Sequence, residues 1–170
     1  MIQIRPTRCE DLPQIMKLVA DAQRWFFEQG IDQWQDGYPT SEIFASDLRA
    51  GNSYVGVSSE GEILLAGTLS FDGEPTYAKI YEGSWLNEEP YAVVHRLVVA
   101  SHRRGEGLAG SFLEYAFAVS LERGVHNMRI DTHRHNLPMQ RLLERHRFLH
   151  CGRILLESGA EREAYQRLIL

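Results

Sequence analysis

The sequence has almost no cysteine. Cys9 and Cys151 are the only two in 170 residues, too few for a disulfide framework and suited to a reducing compartment, so a cytoplasmic setting is expected. Long apolar runs are also missing. Leu97-Val98-Val99-Ala100 is among the longest, far short of the ~20 residues that span a bilayer, so no membrane partner is expected. The N-terminus, Met1-Ile2-Gln3-Ile4-Arg5-Pro6, has no basic region followed by an apolar stretch, so no signal peptide is expected. Basic residues do not dominate: 18 Lys and Arg stand against 23 Asp and Glu, for a net charge of −5. A nucleic-acid binder shows the opposite balance, so no nucleic-acid partner is expected, whereas a small anion needs only a local positive site. With 6 Pro and 14 Gly, collagen-like, low-complexity and disordered classes are excluded. The remainder, 44% hydrophobic residues and no linker-like tract, is enough for one core and predicts a single domain over 1–170.

Patterning predicts a mixed α/β order of β-α-α-β-β-β-α-β-α-β-β. Ile2 to Arg5 alternates as a half-buried strand does. Thr7-Arg8-Cys9-Glu10 fits a capping box, although Pro13 moves the expected helix start toward Asp11. Leu12, Ile15, Met16, Val19, Ala22 and Phe26 follow at helical spacing, and Gly30 is the expected stop. Ser41 is expected to cap a short second helix. Tyr54–Val57 and Ile63–Phe71 are β-rich, 73–90 reads as a loop, and Tyr91–Ala100 is an almost continuous apolar strand. A helix over 108–122, a strand near Met128–Asp131, a helix capped by Asn136 and two closing strands complete the order.

The informative segment is Arg103-Arg104-Gly105-Glu106-Gly107-Leu108-Ala109-Gly110, between a strand and a helix. Glycines let the backbone approach a ligand, and the helix N-terminus offers unpaired N–H groups with about half a positive charge. His102, Arg103 and Arg104 add local charge, so a phosphate-rich ligand is expected. The segment is not a P-loop, because no Gly-Lys-Ser/Thr follows, and its glycine spacing is not that of the dinucleotide fingerprint.

Arg104, Gly107 and Ala109 match Arg/Gln-x-x-Gly-x-Gly/Ala. With the Leu97-Val98-Val99 strand upstream, and Asn136 followed by Met139, Leu142 and Phe148 downstream, the sequence resembles the GNAT family of acetyl-CoA-dependent N-acetyltransferases. The resemblance implies an α/β (α+β) GNAT-like domain: a mixed, mostly antiparallel sheet of about seven strands with splayed central strands, flanked by about four helices. It implies acetyl-CoA as co-substrate and no metal, with a diphosphate held by Arg103, Arg104, Gly105, Glu106, Gly107, Leu108 and Ala109. The pantetheine arm would run beside Leu97, Val98 and Val99, and Asn136 would reach the cofactor from the far side. The implied reaction is direct attack of a primary amine, on a small molecule or a peptide, on the thioester. A homodimer is the assembly the family suggests.

An ammonium has no lone pair, so the reaction needs a proton acceptor. His95 on the apolar strand is one candidate, since histidine as a residue type titrates near neutral pH; Glu89 is the competing base, acting through water. The Val99 N–H is the expected oxyanion donor. Trp34 and Tyr38, with Trp25, are expected to wall the acceptor site and to favour a cationic amine. Two positions depart from the family: Leu143 stands where many members have a general-acid Tyr, and Arg147 replaces the usual Gly before Phe148. The missing acid leaves open a non-catalytic acetyl-CoA-binding or sensor module. His133, His135, His146 and His150 lack a Cys or carboxylate at ligand spacing, which argues against a metal.

Overall fold

The structure, a computed structural model, describes all of residues 1–170. Its elements are β1 (Gln3–Pro6), α1 (Leu12–Glu28), α2 (Ser41–Arg49), β2 (Ser53–Val57), β3 (Ile63–Ser70), β4 (Ala92–Val99), α3 (Leu108–Glu122), β5 (Asn127–Thr132), α4 (Leu137–Arg145), β6 (Leu149–Leu155) and β7 (Glu161–Leu168). Single turns of 3-10 helix lie at Cys9–Asp11, Pro75–Tyr77 and Ser101–Arg103. This chain order is the one the patterning predicts, and the strands form one mixed seven-stranded sheet, as the resemblance implies, in the order β1-β2-β3-β4-β5-β7-β6. The parallel ladder between β4 and β5 is short, pairing only Ala92 with Met128 and Val93 with Arg129. No helix is long and apolar enough to cross a membrane.

All four helices stop by the same device. In each, paired 6→1 and 5→2 backbone bonds close the last turn, as in Ile31 N to Phe26 O (2.8 Å) with Gly30 N to Phe27 O (3.0 Å). This closure needs a residue in the left-handed region. Gly30, Gly51 and Gly124 supply it after α1, α2 and α3 at φ 67°, 74° and 70°. After α4 the position is held by Arg147 at φ 61°, so the left-handed turn survives the loss of the expected glycine.

The chain divides into two compact units, Met1–Leu69 with His95–Tyr115, and Ser70–Val94 with Ala116–Leu170. In the first, β1, β2 and β3 pair antiparallel. One face of α1 buries Ile15, Leu18, Val19, Ala22 and Phe26, and α2 buries Phe44. Gly67 on β3 is a requirement of packing, because a Cβ there would stand 2.7 Å from the Phe112 ring of α3. The start of α1 differs from expectation. Thr7 Oγ1 bonds Ser53 Oγ at 2.7 Å, and the capping carboxylate is Asp11, which accepts from Arg8 N at 2.7 Å and from both terminal nitrogens of Arg5. Likewise Thr40, not Ser41, caps α2, its Oγ1 accepting from Ile43 N. A hydroxyl in the position before the first helical residue is the better acceptor, and Thr40 occupies it.

In the second unit β7 lies between β5 and β6, antiparallel to both. The 73–90 loop is tied to this sheet. Tyr81 makes reciprocal backbone bonds of 2.8 Å with Arg153, and Gly83 lies so close to the Cys151 carbonyl that a Cβ would clash. This pairing covers part of β6, whose free edge would otherwise invite association.

Candidate active site

In the first unit the Gly105–Ala109 turn joins β4 to α3. Gly105 and Gly107 take φ 84° and 81°, a conformation glycine adopts freely, and a Cβ at either would meet nothing within 4 Å. The backbone bonds of the turn run from Arg104 N to Ser101 O, Glu106 N to Arg103 O and Ser111 N to Gly107 O. The N–H groups of Gly105, Gly107, Leu108 and Ala109 remain for an acceptor from outside the chain, as first-turn donors of a helix do. An open, concave-capable turn with spare donors fits a diphosphate.

The charges around the turn are not equivalent. Arg103 Nε and Nη2 pair with Glu106 at 2.7–2.8 Å, and His102 Nε2 lies 3.4 Å from Glu62. Arg104 has no such carboxylate and stacks on Trp25, 4.9 Å from its ring centre. Partial burial lowers the Arg104 pKa, and Asp21 works the other way. The positive charge left for an anion is therefore that of Arg104.

Along β4, Val98 is buried, whereas His95, Arg96, Leu97 and Val99 are half-buried. Arg96 sits at φ 52° in mid-strand. Its guanidinium meets Asp47 of α2 twice, Nε to Oδ2 at 2.8 Å and Nη2 to Oδ1 at 2.7 Å, and donates from Nη1 to Tyr38 Oη at 2.7 Å. Thr68 Oγ1 donates to the same Asp47 at 2.8 Å. Burial opposes the Arg96 charge, and Tyr38 and Asp47 outweigh it, leaving its pKa raised.

The last turns of α1 and the loop after it carry a run of edge-to-face rings: Trp25 to Phe26 at 5.4 Å, Phe26 to Trp34 at 5.7 Å and Trp34 to Tyr38 at 6.4 Å. Trp34 and Tyr38 thus do come together, and the Tyr38 hydroxyl is engaged by Arg96. Trp34, like Arg96, is left-handed, at φ 57°.

In the second unit Asn136 is buried and caps α4, its Oδ1 accepting from Met139 N at 3.3 Å. Glu89 is exposed, with its backbone N–H on Asn87 Oδ1. Leu143 is fully buried and has no proton to give. Tyr77, also fully buried, donates to Asp131 Oδ2 at 2.6 Å. The Arg129 guanidinium lies between Trp85 and Tyr91, 4.2 and 3.9 Å from their ring centres, and donates to Asn87 O. No group of three His, Cys, Asp or Glu side chains is arranged to hold a metal ion.

Reading the sequence alone missed the partners of Arg96 and Arg104, and the Tyr77–Asp131 pair. One signal was available: a charged residue inside the apolar run from Val93 to Val99 requires a buried counter-charge. Which carboxylate supplies it is a matter of tertiary placement.

A model of the acetyltransferase (GNAT) family matches residues 17–148. The chain is 33% identical to a GNAT-family acetyltransferase from Streptococcus agalactiae, covering 98% of this chain and 95% of that one, with a TM-score of 0.88. It shares its fold with a GNAT-family acetyltransferase from Listeria monocytogenes, at 20% identity, coverage of 98% and 94% and a TM-score of 0.75. An N-acetyltransferase from Staphylococcus aureus shares the fold too, at 17% identity, coverage of 100% and 99% and a TM-score of 0.72. No protein of curated function matches the chain.

Proposed function

The chain belongs to the GNAT acetyltransferase family, and we propose that it moves the acetyl group of acetyl-CoA to a primary amine of a small molecule or peptide. It is an acyltransferase, and the family uses acetyl-CoA. The observation that carries the cofactor reading is the turn at Gly105 and Gly107, left-handed at both and open where a Cβ would stand. When bound, acetyl-CoA supplies a thioester carbonyl activated toward attack.

The remaining chemistry is asked of the chain. The N–H groups of Gly105, Gly107, Leu108 and Ala109 bind the diphosphate, with Arg104 as the free cation. Leu97, Val98 and Val99 offer backbone groups to the pantetheine arm, and the Val99 N–H stabilises charge on the carbonyl oxygen. His95 accepts the ammonium proton on its imidazole, with Glu89 as the alternative acceptor through water. Asn136 contributes to the cofactor side. Trp34 presents a ring to the acceptor, suited to a cationic amine. Leu143 provides no acid, so water protonates the departing thiolate, a fair leaving group because a thiol ionises near pH 8.5. We read residues 1–170 as one catalytic domain in a cytoplasmic setting, which accords with two unpaired thiols.

Titration of CoA into the wild-type protein and into Gly107→Arg tests the assignment. The arginine is strained at φ 81° and stands where the diphosphate approaches, so affinity should fall about 100-fold or more. Undiminished affinity overturns the reading. CoA binding without thiol release across a panel of amines would favour the non-catalytic module.

A further inference from the structure

We propose that Asp47 and Tyr38 are positioning residues for acetyl transfer, bracing Arg96 in a left-handed conformation that breaks the regular course of β4. The proposal rests on the acetyltransferase reading of that strand.

A branched or long L-residue at φ 52° is a true outlier, since its Cβ crowds the following carbonyl. Such a residue persists only where its surroundings hold it there, and outliers of this kind concentrate at sites of function. Here the surroundings can be named. Three donors of the Arg96 guanidinium are satisfied at 2.7–2.8 Å by Asp47 and Tyr38, and the Arg96 and Asp47 side chains are each only 14% exposed. Asp47 is itself fixed by Thr68 Oγ1. The brace therefore ties α2, β3 and the loop after α1 to one residue of β4. A planar guanidinium gripped on two sides has little freedom to rotate, so the backbone that carries it is held as well.

The consequence falls on the residues flanking Arg96. An ordinary strand alternates between its two faces, yet His95, Arg96 and Leu97 are all half-buried. A left-handed residue turns the next peptide out of register, and the transfer is assigned to His95 on one side and to Leu97, Val98 and Val99 on the other. Small errors in the φ of Arg96 displace both sets at once, and displacements of about 1 Å cost catalysis roughly 100-fold. Tyr38 also touches Trp34, so the same brace sets the aromatic loop proposed for the acceptor.

A glycine rescue separates this role from simple stability. Asp47→Asn weakens the brace and should lower kcat about 10-fold or more while CoA affinity falls by less, no more than about 3-fold, because the pantetheine side shifts but the diphosphate turn is untouched. Combining Asp47→Asn with Arg96→Gly should restore kcat to within about 3-fold of wild type, since glycine takes a positive φ unaided. Combining it with Arg96→Ala should leave kcat roughly 10-fold below the glycine pair. Equal kcat in the glycine and alanine pairs, an unchanged kcat in Asp47→Asn, or loss of CoA binding parallel to loss of kcat would overturn the proposal. If the wild-type protein binds CoA but releases no thiol with any amine, the acetyltransferase reading fails. Hydrogen exchange then decides the brace by itself: faster exchange of the Arg96 to Val98 amides in Asp47→Asn supports it, and unchanged exchange refutes it.

Discussion

Tyr77, 1% exposed, donates its phenolic proton to Asp131 Oδ2 across 2.6 Å. Burial first, and then the charge of Asp131, hold the phenol well above its ordinary pKa. The unfolded chain releases this proton near pH 10, whereas the folded chain keeps it. The contribution of this group is thus complete below pH 10 and declines as pH rises beyond it. Tyr77→Phe should cost about 1–3 kcal/mol at neutral pH and should flatten the alkaline fall in stability. Urea unfolding at several pH values from 8 to 11 measures both; a fall as steep as in wild type would refute the linkage. Some alkaline slope should remain, because burial also raises the Tyr165 phenol, to about 12.

Arg147 is exposed and left-handed at φ 61°, closing α4 where a glycine would do so without strain. Arg147→Gly should therefore stabilise the fold by about 1 kcal/mol, seen as a Tm increase of roughly 2–4 °C for a chain of this size. A lowered Tm would mean that the arginine side chain contributes more than its backbone costs.

Arg103 and Arg104 are adjacent in sequence but unlike in charge balance, since Arg103 is neutralised by Glu106 and Arg104 is stacked on Trp25. Arg104→Ala should weaken CoA binding about 10-fold, and Arg103→Ala no more than about 3-fold. Calorimetric titration compares them. Equal losses would show that the ion pair opens to receive the ligand.

His95→Ala should lower kcat by about 100-fold or more, as loss of a general base does. Glu89→Gln, on an exposed loop residue, should change kcat by less than about 3-fold. Thiol release with saturating acetyl-CoA and amine gives both rates. A rate unaltered in His95→Ala and lost in Glu89→Gln would exchange the two roles.

Much of this protein was readable in its residues one stretch at a time. Helix stops at Gly30, Gly51 and Gly124, the Asn136 cap and the glycine turn before α3 are local events, because hydrogen bonds a few residues apart decide them. The strand from Ala92 to Val99 was equally visible from its apolar run, and with these elements came the family resemblance. Capping side chains were less so: Asp11 and Thr40 won over equally suitable neighbours, Glu10 and Ser41, by one position of backbone geometry.

Tertiary structure decided what each charge does. Arg96 lies 49 residues from Asp47 and Tyr77 lies 54 from Asp131. No local pattern selects one carboxylate among 23 acidic side chains as the partner. The pairing follows from sheet register and helix placement, because a buried charge or phenol accepts whichever group the fold brings within hydrogen-bond distance. Sequence determined that a glycine-rich turn and an apolar strand exist; the fold determined that Arg96 is left-handed within that strand and bonded to Asp47 and Tyr38, and that Arg104, not Arg103, is the arginine left with charge to spare.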